Sequence, residues 1–110
     1  MEFGLSENVC AIIRAVLARY PVIEQAIMYG SRAKGTYKNG SDIDLTLVGD
    51  RLDYQTLVSV ASELDNSDIP HTVDLSILAQ IENPVLCAHI VRVGKVFYQR
   101  GSMVDRFRNV

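Results

Sequence analysis

Two stretches of this chain alternate apolar and polar residues one by one. From Asp42 to Val48, Ile43, Leu45 and Leu47 share one face while Asp42, Asp44 and Thr46 share the other. From Thr72 to Leu78, Val73, Leu75 and Ile77 oppose Thr72, Asp74 and Ser76. Successive side chains leave a strand on opposite sides, so both stretches read as strands with one face that has to be covered. The cover lies in segments of helical period. Leu5, Val9, Ile12, Ile13, Val16 and Leu17 recur at helical spacing, with Ser6 as N-cap and Tyr20-Pro21 as a stop. A second helix spans roughly Asp53 to Leu64, its apolar face formed by Leu57, Val60, Ala61 and Leu64. Asn83-Pro84 starts a third, since Asn caps and Pro is tolerated at the first helical position; it carries Leu86, Ile90 and Val93 and ends at Gly94, a residue suited to a left-handed cap. Short strands are expected at Gln25 to Tyr29 and, at a sheet edge, Lys95 to Gln99.

Arg32 to Ser41, with two glycines, Asn39 and three basic residues, reads as a short helix followed by a loop, so the resulting order is αβαβαβαβ. It predicts an α/β (α+β) fold, a small mixed β-sheet with helices packed on it. At 110 residues there is room for one domain, taken as residues 1–110, and for one core. With 48% hydrophobic and 22% charged residues the chain can bury enough apolar surface to order itself. A net charge of −2 argues against gripping a long nucleic acid unaided, which takes clustered Lys and Arg, but leaves room for one small anionic ligand. Cys10 and Cys87 sit among apolar residues without metal-type spacing and read as free thiols of a reducing compartment. No signal peptide and no membrane-spanning run is visible, so a cytoplasmic location is expected.

The chemistry gathers in Tyr29-Gly30-Ser31-Arg32-Ala33-Lys34-Gly35 and Ser41-Asp42-Ile43-Asp44-Leu45. Gly30 and Ser31 stand where a strand ends and a helix begins, and the free N–H groups there suit a phosphate. Gly30 permits close backbone approach, and the Ser31 hydroxyl adds a donor. Arg32 and Lys34 bring positive charge nearby, or are simply solvated. Asp42 and Asp44 project from one strand face, about 7 Å apart at Cα. Such a pair repels itself unless a cation lies between, and magnesium takes one or two carboxylates plus substrate phosphates. If the Asp74 strand pairs beside the Asp42–Val48 strand, a third carboxylate joins the patch and the set becomes a two-metal phosphoryl-transfer site. Alone, a Gly-Ser is usually a turn and an Asp-x-Asp a solvated face; their sequence at loop length, with Asp74 repeating the pattern, favours function.

These residues resemble the nucleotidyltransferase superfamily typified by DNA polymerase β, and more closely the minimal nucleotidyltransferase (MNT) family. The superfamily pattern is an apolar residue, Gly-Ser, a spacer of about ten residues and Asp-x-Asp in a strand. Here it reads Tyr29-Gly30-Ser31, ten intervening residues, Asp42-Ile43-Asp44, with the later carboxylate at Asp74. The segment from Asn83-Pro84 to Phe97-Tyr98 is also similar to small MNT proteins. The resemblance implies that Gly30 and Ser31, with Arg32 beside them, bind the phosphates of ATP. It implies that Asp42 and Asp44 hold two Mg2+ ions, and that Asp74 ligates one of them and helps deprotonate an acceptor hydroxyl. It further implies an antitoxin that transfers AMP to a tyrosine of a helical HEPN toxin. Competing readings are a subunit that acts by binding alone and a small-molecule transferase working with a separate helical subunit. His71 and His89 are read as structural or solvated, Tyr29 as support for the turn from the core, Tyr37 as an exposed loop residue. Arg100, Arg106 and Arg108 are read as a frayed end that could also dock an acidic partner.

Overall fold

The computed structural model describes residues 1–101. Its elements follow the expected order: α1 (Glu7–Ala18), β1 (Gln25–Tyr29), α2 (Gly30–Lys34), β2 (Ile43–Val48), α3 (Tyr54–Asp65), β3 (Val73–Ile77), a 3₁₀ turn (Leu78–Gln80), α4 (Pro84–Val93) and β4 (Lys95–Gln99). The strands form one mixed sheet in the order β3-β2-β1-β4, which leaves β4 at an edge. β1 runs antiparallel to both β2 and β4, whereas β2 and β3 are parallel and joined by the crossover through α3. No described helix is long and apolar enough to cross a membrane.

One sheet face carries the core. Ala26 and Met28 of β1, Ile43, Leu45 and Leu47 of β2, and Phe97 of β4 meet Val9, Cys10, Ile13, Val16 and Leu17 of α1 and Val60 and Leu64 of α3. Each large side chain buried this way contributes about 1.5–3 kcal/mol. Cys10 takes the inward place expected of Ile12, which is only half-buried, and both cysteines are free thiols. The opposite face carries Ile27, Tyr29, Asp44, Thr46, Asp74 and Ser76, because these alternate with the core residues. α4 covers part of it, over β1.

The helix starts follow local capping chemistry. The Ser6 hydroxyl accepts from Val9 N–H at 3.1 Å, Asp53 from Thr56 N–H at 2.8 Å, and Asn83 from Val85 and Leu86 N–H. The end of α1 is held from far away. Arg100 donates from Nη2 to the carbonyls of Ala18 (2.8 Å) and Tyr20 (3.1 Å), and from Nε to that of Ile23 (3.2 Å). It thereby satisfies backbone acceptors around the helix end and is no frayed residue. Arg106 and Arg108 lie outside the described residues.

Gly94 also departs from expectation. Its φ of −62° and ψ of 143° are extended, so the end of α4 is not a left-handed cap. The glycine is needed for closeness instead. A Cβ there would stand 2.4 Å from the Ile90 carbonyl oxygen and 2.9 Å from Ile27 Cγ2. On backbone entropy alone Gly94→Ala would stabilise by about 0.4–1 kcal/mol. The clash with a backbone oxygen outweighs that, and we expect a net loss of about 1–3 kcal/mol in urea unfolding. A variant more stable than wild type would contradict this account of α4 docking.

Candidate active site

β1 ends on the extended Tyr29, and Gly30 turns the chain with φ +73° into α2. A Cβ at Gly30 would lie 2.2 Å from Asp44 Oδ2. The left-handed backbone favours glycine, and the tip of the Asp44 carboxylate would have to move aside for any Cβ. The turn and the Asp44 carboxylate touch. α2 is short: Gly35, at φ +83°, ends it by donating its N–H to the Ser31 carbonyl.

The register assembles the rest of the site. Tyr29 is the partner of Asp44 across β1 and β2, and Asp44 is the partner of Asp74 across β2 and β3. The three form one row, with neighbouring strands about 4.8 Å apart. Burial pushes the Asp44 carboxyl above its ordinary range, and the charges of Asp74 and Asp42 push it further. Asp42, one residue before β2, and Asp74 are both exposed. The next row back, Ile27–Thr46–Ser76, is pinned by a hydrogen bond from Ser76 Oγ to the fully buried Thr46 Oγ1 at 2.8 Å. Burial raises the Tyr29 hydroxyl, a hydrogen bond with Ser76 lowers it, and the charges of Asp44 and Asp74 raise it again.

This donor set fits a hard divalent cation in kind, since it offers carboxylate oxygens whose mutual repulsion a cation would relieve. It does not close into a finished cage. Among the described residues no three His, Cys, Asp or Glu side chains stand together as ligands of one ion. The remaining ligands would have to come from substrate oxygens and water, as magnesium ordinarily arranges.

A family model described as "Polymerase beta, Nucleotidyltransferase" matches residues 12–102. The chain belongs to that family. The nucleotidyltransferase fold recurs in the crystal structure of a toxin-antitoxin with AMP-PNP, with TM-score 0.67 and 28% identity over 94% of this chain and 80% of that one. A mutant of the toxin-antitoxin MntA-HpeT gives TM-score 0.66 and 29% identity over 96% and 80%. A tri-AMPylated Shewanella oneidensis HEPN toxin in complex with MNT antitoxin shares the fold at TM-score 0.65 and 23% identity, over 94% of this chain and 79% of that one. Among curated proteins none matches the nucleotidyltransferase chain.

Within this nucleotidyltransferase, Arg32 has different work from that expected of it. Its guanidinium is buried, donating from Nε and Nη2 to the Ser41 carbonyl (3.2 and 2.8 Å) and from Nη1 to the Phe3 carbonyl (2.9 Å). Arg32 ties the residue just before Asp42 to the N-terminal segment. Its guanidinium is engaged on backbone oxygens of Phe3 and of the loop that ends at Asp42. The Tyr37 ring, 5.3 Å from Arg32 Cζ, also lies against Gly4, so this tyrosine is packed as well as partly exposed. His71 Nδ1 lies 3.5 Å from Arg32 Nη2, and burial and that cation lower the His71 pKa. Lys34 is exposed.

The residue missed by sequence reasoning is His89. Its Nε2 accepts the Gly30 N–H at 3.1 Å, and its ring meets Tyr29 edge-on at 6.2 Å between centroids. It also lines an open hollow of about 650 Å³ against α4, beside Asn83, Leu86 and Arg92. The only local signal is helical phase: His89 follows Leu86 by three residues, on the face that also carries Ile90 and Val93.

Two outcomes follow from this geometry. Arg32→Met leaves two backbone carbonyls without their donor and is expected to cost about 2–4 kcal/mol in urea unfolding. A variant of unchanged stability but weakened nucleotide binding would return Arg32 to the nucleotide site. For Asp44 the sign is fixed by its raised folded-state pKa. Its stabilising contribution is present while the carboxyl is protonated, below the ordinary carboxylate range, and is lost as pH rises through the raised value. Asp44→Asn should therefore melt higher than wild type at neutral pH without divalent metal, with the gain shrinking on acidification; a lower neutral-pH Tm would refute the electrostatic picture.

Proposed function

We propose that this chain is a magnesium-dependent nucleotidyltransferase that moves AMP from ATP onto a hydroxyl of a helical HEPN-type partner protein and thereby serves as its antitoxin. The observation that carries the reading is the row in which Asp44 sits beside Asp74 with the Gly30 turn against it. Like charges on neighbouring strands cost stability, and a fold keeps them together where a ligand makes them useful. Support for the nucleotide and the partner comes from the relatives, one solved with AMP-PNP and one holding a tri-AMPylated HEPN toxin beside an MNT antitoxin.

In this reading Gly30, whose own N–H is taken by His89, lets the triphosphate tail approach the backbone closely, and Ser31 supplies its backbone N–H and hydroxyl as donors. Asp42, Asp44 and Asp74 are the residues that would hold the metal ions. Magnesium, when bound, neutralises the carboxylates and the charge that develops on the attacking and leaving oxygens. Asp74 lies at the exposed end of the row, where an acceptor hydroxyl from another chain can reach it and give up its proton. The acceptor oxygen then bonds to the α-phosphorus as the bond to pyrophosphate breaks. The protein's share is positioning and electrostatics.

The test is co-purification with the partner protein, followed by incubation with labelled ATP and magnesium. We expect label on the partner and a mass gain in whole AMP units, abolished by chelation and restored by magnesium. Asp42→Asn and Asp74→Asn should each slow transfer by roughly 10²–10³-fold. Transfer to the partner that persists in Asp42→Asn would remove the assigned roles. Tight association without label would leave binding alone as the function, and label confined to a small molecule would change the acceptor class.

A further inference from the structure

α2 begins at Gly30, so the first N–H groups of that turn have no partner within the helix. Tyr29, the residue before it, makes no side-chain cap hydrogen bond. Glycine adds no preference of its own, since it visits positive and negative φ about equally. Something other than local sequence has to fix the direction of this turn. The acceptor that does so comes from the middle of α4, 59 residues away, where His89 Nε2 takes the Gly30 N–H at 3.1 Å. His89 is itself held, because Ile90 beside it is buried and its ring stands edge-on to the buried Tyr29. The chain from α4 to the Asp44 carboxylate thus runs through one hydrogen bond and one glycine.

We infer that His89 is a positioning residue of the nucleotidyltransferase site, acting through Gly30: by capping the Gly30 N–H it sets the direction in which the Gly30–Ser31 turn faces the carboxylate row. The inference rests on the proposed nucleotide site and adds to it a residue that never has to touch the substrate. A cap of this kind has a definite chemical requirement. The group at position 89 must offer an acceptor at the place of Nε2, so His89 is the Nδ1–H tautomer. Gln, whose Oε1 reaches about as far, can replace it; Ala cannot.

The experiment measures binding of magnesium with α,β-methylene ATP, which cannot be cleaved between its α- and β-phosphates, to the full chain by calorimetry. His89→Ala is expected to raise Kd by roughly three- to tenfold, the worth of one hydrogen bond, and His89→Gln to recover most of that loss. A purely structural histidine would lower Tm in both variants and leave Kd of the folded protein in place. Unchanged Kd in a folded His89→Ala variant, or His89→Gln as weak as Ala, overturns the inference while the nucleotide site stands. Failure of the wild-type chain to bind the analogue removes the site itself, and the inference with it. If His89→Ala does not fold, NMR of the wild-type protein decides. A scalar coupling between the Gly30 amide nitrogen and His89 Nε2, with the proton on Nδ1, together with displaced Gly30 and Ser31 resonances on adding the analogue, supports the positioning role. Absence of the coupling, or resonances at the turn that ignore the analogue, rejects it.

Discussion

Everything at the candidate site depends on the parallel pairing of β2 with β3. It sets Asp44 directly beside Asp74, and a slip of one residue would send one of the two into the core. The pairing has to withstand the repulsion it creates, which adds to burial in raising the Asp44 pKa. What withstands it lies on the other side of the same strands. Ile43, Leu45 and Leu47 are fully buried against α1 and α3, a slipped register would expose them, and the hydrophobic term at stake exceeds that of one half-exposed charge pair. The bond from Ser76 to Thr46 fixes the same register on the site face, one row behind the carboxylates.

A second layer of control consists of side chains that reach backbone groups far away in sequence. Arg32 holds the Ser41 carbonyl next to Asp42, His89 holds the Gly30 N–H next to Asp44, and Arg100 holds the carbonyls around the end of α1. Each adds a long-range anchor at a turn or a helix end. The loop between the Gly-Ser turn and Asp42 is rich in exposed polar residues, and Arg32 anchors its far end beside a local turn in which Ser41 N–H donates to the Lys38 carbonyl and Lys38 N–H to Ser41 Oγ.

These contacts also separate what was legible in the sequence from what was not. Alternation over Ile43–Val48 and Val73–Ile77, the caps Ser6 and Asn83, and the edge position of β4 are local patterns, and they were readable because strand period and capping need only neighbouring residues. So was the mixed α/β architecture. The work of Arg32, His89 and Arg100 was not, because a bond across 29, 59 or 80 residues leaves no periodic trace. A basic residue next to a Gly-Ser turn looks like a phosphate ligand until its guanidinium is found among carbonyls. Gly94 misled for a related reason: a glycine at a helix end suggests a left-handed cap, whereas here it is a close approach of α4 to Ile27. The 3₁₀ turn at Leu78–Gln80 lacked a signal because three residues are too few to show a period.

The division of the sheet into a covered and a partly open face separates the core from the candidate site. α1 and α3 are spent on the core face, where burial is nearly complete. On the other face, among the described residues, α4 docks over β1 by way of Ile90, Gly94 and His89. Asp42 and Asp74 remain exposed beyond its reach. The same α4 that leaves the carboxylates open is the element that fixes the turn facing them, so packing and access are set by one helix.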